Sequence, residues 1–289
     1  MLAGIAMMLA GIFFFALNDA LGKWLVATYS VGQLLLVRSA AGMVFLAPFI
    51  KREGWRGFRG APRPWVQFLR PIFATFDVAC FYWAVAYLPL ADVMTFYLAG
   101  PIYVTAVSPL LLGEHIGWRR WAAVVVGFVG VMIALGPSAG SFSLAALVAI
   151  VGSFSFSILM VCTRLVRGTS DVVLVTTQTA GALLFGAMAA PFTWVALNPR
   201  DTAMLLLLGV TAMIAHVCVN RALKLAPASV VVPYQYTTIF WAILFGFIFF
   251  GDIPSTAMLT GAGIIIAAGI YIFIRERTLA KPVTFAEPP

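Results

Sequence analysis

Charge is what this chain has least of. Only 10% of its 289 residues are Asp, Glu, Lys or Arg, against about a quarter in ordinary soluble domains, and 63% are hydrophobic. A chain so composed cannot cover a water-facing surface, which excludes a soluble globular protein. Histidine occurs twice, as His115 and His216, and cysteine three times, as Cys80, Cys162 and Cys218, each cysteine inside an apolar run and none in a CxxC pair. A disulfide framework and a structural zinc site are therefore not expected, and the cysteines read as small packing residues. HExxH and the phosphate-binding GxxxxGK[ST] loop are both missing, which argues against a zinc protease and a nucleotide-driven pump. We expect no enzyme activity, no catalytic residue, no cofactor and no metal.

What the chain does have is long apolar runs from one end to the other. A membrane-crossing helix needs about 20 mostly apolar residues, and breaks at charge clusters, glycine and proline leave ten candidates. They cover roughly 3–26, 31–50, 67–88, 91–112, 119–136, 142–164, 171–194, 202–222, 228–250 and 257–274. The expected fold is all-α: a polytopic membrane protein of ten transmembrane helices.

The net charge of +8 and pI near 9.8 follow from orientation, with no nucleic-acid partner implied, because Lys and Arg gather in cytoplasmic loops. With the N-terminus inside, the inward segments hold Lys51, Arg52, Arg56, Arg59, Arg63 and Arg70, then Arg119 and Arg120, Arg164 and Arg167, Arg221 and Lys224, and finally Arg275, Arg277 and Lys281. Lys23 and Arg200 fall near the outer face and Arg38 within a span. Both termini are thus expected in the cytoplasm of a bacterial-type cell, with the protein in its inner membrane.

The chain also resembles itself. An offset of 138 residues brings Ala74, Cys80, Ala84, Pro89, Val93 and Gly113 onto Ala212, Cys218, Ala222, Pro227, Val231 and Gly251, and Glu114 onto Asp252. An offset of 141 places Gly11, Phe13, Phe15 and Lys23 over Gly152, Phe154, Phe156 and Arg164. Five helices is an odd number, so the second half must enter the membrane from the opposite side. We expect inverted five-helix repeats at 1–138 and 139–275, followed by a cytoplasmic tail at 276–289. Inverted repeats are a recurring carrier architecture, with the substrate site near the midplane where the halves meet.

The segment Leu88-Pro89-Leu90-Ala91-Asp92, followed by Pro101, Gly113-Glu114, Trp118-Arg119-Arg120-Trp121 and Gly127-Phe128-Val129-Gly130, resembles the EamA-type drug/metabolite transporters. The second half repeats the likeness in Ala222-Leu223, Ala226-Pro227-Ala228-Ser229, Pro233, Tyr236-Thr237, Trp241, Gly251-Asp252, Gly261, Gly269 and Arg275-Glu276. Leu17-Asn18-Asp19-Ala20 through Lys23-Trp24, with Arg38, also fits. The resemblance implies two five-helix repeats and a secondary carrier of small metabolites, often an exporter of amino acids. Among subfamilies the chain looks most like the YddG-type exporters of aromatic amino acids. Asp252 stands where the family usually has Glu, which keeps the carboxylate.

Candidate site residues come from the ionisable and aromatic positions inside spans, since a charge in the hydrocarbon costs at least about 2.5–3.5 kcal/mol and normally faces a cavity or a partner. Asp19, beside Asn18, and Arg38 lie at equal depth in the first two helices at about 1.5 Å per residue, which allows a salt bridge. Lys23, one turn beyond Asp19, is a second possible partner. Asp77 has no evident basic partner and is a candidate for an ammonium group or a coupling proton. His216 reads as a weaker candidate, a lone histidine between helices. Tyr97 precedes Pro101 by one turn, and Pro233 is followed by Tyr234 and Gln235. The repeat alignment pairs Tyr97 with Gln235 and Tyr82 with Asn220 across the pseudo-axis. Each of these positions also has an ordinary packing reading. The leading expectation is a secondary transporter exporting amino acids or related metabolites. A carrier of cationic drugs or nucleotide derivatives is the alternative, followed by a channel or scramblase. The partners are a small-molecule substrate and the lipid bilayer, with a monomer as the functional unit and a dimer as the other option.

Overall fold

A computed structural model describes residues 2–112, 117–135, 143–166, 168–225 and 232–279. Eleven helices appear among the described residues: α1 (Leu2–Val26), α2 (Val31–Arg59), α3 (Pro64–Val85), α4 (Leu90–Leu98), α5 (Gly100–Leu112), α6 (Trp118–Leu135), α7 (Leu144–Leu165), α8 (Asp171–Ala189), α9 (Pro199–Leu225), α10 (Thr238–Phe250) and α11 (Thr256–Leu279). Short 3-10 turns at Ala190–Thr193 and Val232–Thr237 follow α8 and precede α10. The protein is an all-helical polytopic membrane protein. By length and composition eight stretches can cross a membrane, and the shorter apolar helices at Trp121–Ala134 and Tyr234–Phe250 occupy the fifth and ninth expected spans.

Local chemistry sets the ends. Ser143 and Ser170 cap α7 and α8 by accepting hydrogen bonds from the amides of Ala146 (3.1 Å) and Val173 (3.3 Å). Pro64 occupies the first turn of α3, where its missing N–H is not needed. Gly251 closes α10 at φ 69°, a left-handed conformation that a side chain would disfavour. Gly54, at φ 70°, interrupts α2 and ends its apolar part.

The fourth expected span is broken at Ala99, between α4 and α5. Proline at position 101 has no N–H to offer the carbonyl of Tyr97, so the helix cannot run through unchanged. The ninth span has its discontinuity at the end of the 3-10 turn, Thr237, which lies 138 residues beyond Ala99. Both halves therefore break the same helix at the same place.

Packing follows the same pairing. Helix α1 lies along α9, and α7 along α3; α2 meets both α9 and α8, and α8 meets α3; α6 packs on α11 and α4 on α10. Exchanging the halves, α1 with α7, α2 with α8, α3 with α9 and α6 with α11, turns α1–α9 into α7–α3 and α2–α9 into α8–α3 and leaves α2–α8 and α6–α11 as they are. Small residues permit the closest approaches, because lipid offers no hydrophobic drive and helices in a membrane associate by fit. A side chain at Gly261 would come within 2.6 Å of the Gly130 carbonyl, so α6 and α11 touch backbone to backbone. One at Gly11 would lie 3.2 Å from the Ala215 carbonyl, and one at Gly152 would lie 3.6 Å from the Asp77 carbonyl. These are equivalent contacts under the repeat.

The fully buried side chains, among them Tyr82, Phe96, Leu34, Leu35, Leu205 and Leu208, lie where the halves meet. Exposed large apolar residues such as Phe68, Leu110, Val125, Leu184 and Phe247 face outward, as a lipid-facing surface demands.

Candidate substrate site

Four helices bring polar groups together near the centre of the bundle. From α2, Arg38 donates from Nη1 to the Tyr82 hydroxyl (2.9 Å), and its guanidinium sits 5.3 Å from the centre of that ring. From α3, the Tyr82 hydroxyl donates to Asn18 Oδ1 (3.0 Å). From α1, Asn18 Nδ2 donates to the Leu208 carbonyl (2.6 Å) and to Thr211 Oγ1 (2.9 Å), both on α9. The relay runs in one direction and joins three helices of the first half to one of the second. Gly22 makes room for it, since a side chain there would collide with the Tyr82 ring.

Beside Arg38 is a cavity of about 40 Å3 whose polar lining is Arg38, Ser39, Gln178, Thr179 and His216. That volume holds a few waters and no organic metabolite. His216 Nδ1 bonds the Ala212 carbonyl at 2.7 Å and therefore carries the proton, while its ring packs edge-on against Phe15.

The geometry corrects several expectations. Asp19 and Arg38 form no ion pair within 4.0 Å, because the guanidinium turns to Tyr82. Lys23 does not pair with Asp19 either: it reaches across the halves to Asp252 Oδ2 (2.7 Å), donates to the Leu88 carbonyl (3.1 Å) and lies 4.7 Å from the centre of the Phe250 ring. Tyr82 is committed to Arg38 and Asn18. Nor does Tyr97 meet Gln235. Its hydroxyl donates to the Asp77 backbone carbonyl (3.2 Å), and Gln235 is exposed. Asp77 is buried with Oδ1 unpartnered. Tyr234 packs at the edge of the small cluster of Met8, Ile12 and Ala222. The side chains of Pro101, Asn220 and Pro233 lie outside the described residues, as do Glu114 and its surroundings.

Sequence reasoning missed Ser39, Thr211, Gln178 and Arg70. The first three are neutral polar residues in apolar spans, a signal present but weak. Arg70 was assigned to an inward loop, and the structure buries it inside α3. One further motif, Gly136-Pro137-Ser138-Ala139-Gly140, has the spacing of a hydrolase nucleophile elbow, which requires a preceding strand. It lies outside the described residues, and these include no strand and no cluster of three or more metal-binding side chains.

Comparison with known proteins agrees with this architecture. The EamA-like transporter family matches twice, over residues 2–136 and 143–275. A riboflavin transporter of Rhizobium johnstonii is 28% identical over 96% of this chain and 92% of its own. An S-adenosylmethionine uptake transporter of Rickettsia bellii is 24% identical, covering 90% of this chain and 89% of its own. A pseudopaline exporter of Pseudomonas aeruginosa is 25% identical, covering 93% and 95%. A crystal structure at 18% identity superposes with a TM-score of 0.65 over 96% of this chain and 98% of its own, which speaks for the fold alone. With its two matches covering nearly the whole described bundle, the chain belongs to the EamA-like transporter family, a membrane transporter of small molecules and not an enzyme.

Proposed function

We propose that the protein is a secondary carrier that moves an amino acid or a related small metabolite across the inner membrane by alternating access, with export as the direction. The reading rests on one observation: the Arg38–Tyr82–Asn18–Thr211 relay bridges the halves and borders an internal cavity. A relay of this kind would be remade whenever the halves rock against each other, and rocking around a fixed midplane site is how inverted-repeat carriers work. In this reading ten helices cross the bilayer, the repeat boundary lies at 138/139, and both termini face the cytoplasm. The Lys23–Asp252 pair then sits at the outer end and holds it shut. Aromatic amino acids remain candidates within this class. The names of the relatives favour a second reading, a carrier of larger cofactor-like metabolites such as riboflavin or S-adenosylmethionine.

Counterflow in proteoliposomes separates the readings. Vesicles preloaded with each unlabelled compound of a panel (phenylalanine, tryptophan, lysine, riboflavin, S-adenosylmethionine) should accelerate uptake of its labelled form, saturably, for at least one member. Non-saturable flux for every member would indicate a channel and overturn the carrier reading. Saturable flux of riboflavin alone would replace the amino-acid assignment.

A further inference from the structure

Arg70 is 6% exposed, lies in the second turn of α3, and is held by neutral groups only. Its Nε donates to Thr163 Oγ1 on α7 (2.8 Å), Nη1 to the Leu174 carbonyl (2.7 Å) and Nη2 to Gln178 Oε1 (3.3 Å), both on α8. A guanidinium can only donate, so the contact dictates which end of the Gln178 amide faces Arg70: the oxygen. The Nε2 end is turned the other way and makes no hydrogen bond among the described residues. Gln178 is also part of the cavity wall beside Arg38.

The donor balance of that wall is one-sided. Arg38 uses one N–H on Tyr82 and has four others, and Gln178 adds its amide N–H groups. Thr179 spends its hydroxyl proton on the Val175 carbonyl, and His216 spends its Nδ1 proton on Ala212. No carboxylate belongs to the lining, and neither Asp19 on α1 nor Asp77 on α3 comes within 4.0 Å of either guanidinium. A cation facing a cavity at low dielectric, with no carboxylate within 4.0 Å of it, attracts an anion.

We propose that this cavity recognises the carboxylate of the transported metabolite between Arg38 and the Gln178 amide, and that Arg70 is the positioning residue that keeps the Gln178 N–H groups turned to the site. The proposal rests on the carrier reading and narrows it to acid-bearing substrates.

Matched pairs that differ only by the carboxyl group test it: phenylalanine with phenethylamine, tryptophan with tryptamine, lysine with cadaverine, and riboflavin as a compound with no acid. Each is assayed by counterflow with the intact protein in phosphatidylethanolamine–phosphatidylglycerol vesicles. At least one acid should be carried with a KM about 10-fold or more below that of its decarboxylated partner, the usual worth of a lost hydrogen bond to a charged group. Arg70→Leu should raise the KM for the acid about 10-fold, leave Vmax within about two-fold, and hardly change the amine. Gln178→Glu should reverse the preference toward the amine. If that variant does not fold, Gln178→Leu should raise the acid KM as Arg70→Leu does. Equal KM for acid and amine, saturable flux of riboflavin alone, or an Arg70→Leu effect confined to Vmax for both partners would overturn the acid site while sparing the carrier. Absence of saturable flux for every compound would overturn the carrier reading beneath it.

Discussion

Lys23 and Arg70 are both basic side chains drawn into the bundle, and they are held in opposite ways. Lys23, at the end of α1, has a carboxylate from the other half, a backbone carbonyl and an aromatic face. Arg70, inside α3, has a hydroxyl, a carbonyl and an amide oxygen. The first arrangement neutralises its charge and ties the halves together at one end. The second fixes geometry and leaves the positive potential standing. An ion pair across a moving interface suits a closure, whereas a cation with neutral partners suits a site that waits for an anion. The difference shows why the two basic residues should not be read as one kind of feature, although both break apolar runs.

The comparison is broken most directly at Arg38, which shares with Arg70 the lack of an acidic partner. Arg38→Met should reduce counterflow of a carried acid by about 100-fold, as expected when a charge-assisted contact worth about 3 kcal/mol is lost. Its Tyr82 partner keeps the bond to Asn18, so thermal unfolding in detergent should move little. A large drop in melting temperature with residual transport near wild type would make Arg38 a structural lock.

The other side of the comparison is sharpened by exchanging charge. Lys23→Asp and Asp252→Lys should each weaken closure and raise labelling of an introduced Ser39→Cys by a membrane-impermeant maleimide added from the Lys23 end. The double variant should restore protection, with a coupling of about 1 kcal/mol for a half-buried pair. Additive effects would mean that the pair does not hold that end.

The smallest expected effect is at Asp77. Its Oδ1 has no partner, so Asp77→Asn should alter flux less than about two-fold if the carboxyl is a packing group, since removing an unmade bond costs little. A lost pH dependence of counterflow in that variant would identify it as a proton carrier.

Much of the fold was legible because a bilayer tolerates few alternatives. Runs of about 20 apolar residues must be helical, and several helices open within a residue of the expected spans: α1, α6, α8 and α11 at 2, 118, 171 and 256, where 3, 119, 171 and 257 were expected. The two places where a helix breaks, Ala99 and Thr237, turn out to be related by the same offset of 138. The candidate site was legible only in part. Asn18, Arg38, Tyr82 and His216 do converge on one region, but Asp19, Arg38 and Lys23 do not pair as expected. Equal depth allowed Asp19 to meet Arg38, yet the rotation of α1 and α2 turns the guanidinium toward α3. Nearness along one helix favoured Lys23 with Asp19, yet Asp252 closes on Lys23 from another half of the chain. Arg70 looked like one more residue of a basic loop because Arg59 and Arg63 precede it, and only the cover of α7 and α8 makes it interior.

By itself, the amino-acid sequence determined that this is a helical membrane protein, because its long apolar runs leave the backbone no other way to satisfy its hydrogen bonds in lipid. Which polar side chains meet was decided by tertiary structure alone. A residue's depth follows from its position in the run, but its direction depends on how each helix is rotated and which neighbour it packs against, and those are settled by glycine contacts and hydrogen bonds between segments as much as 229 residues apart, as in Lys23 and Asp252.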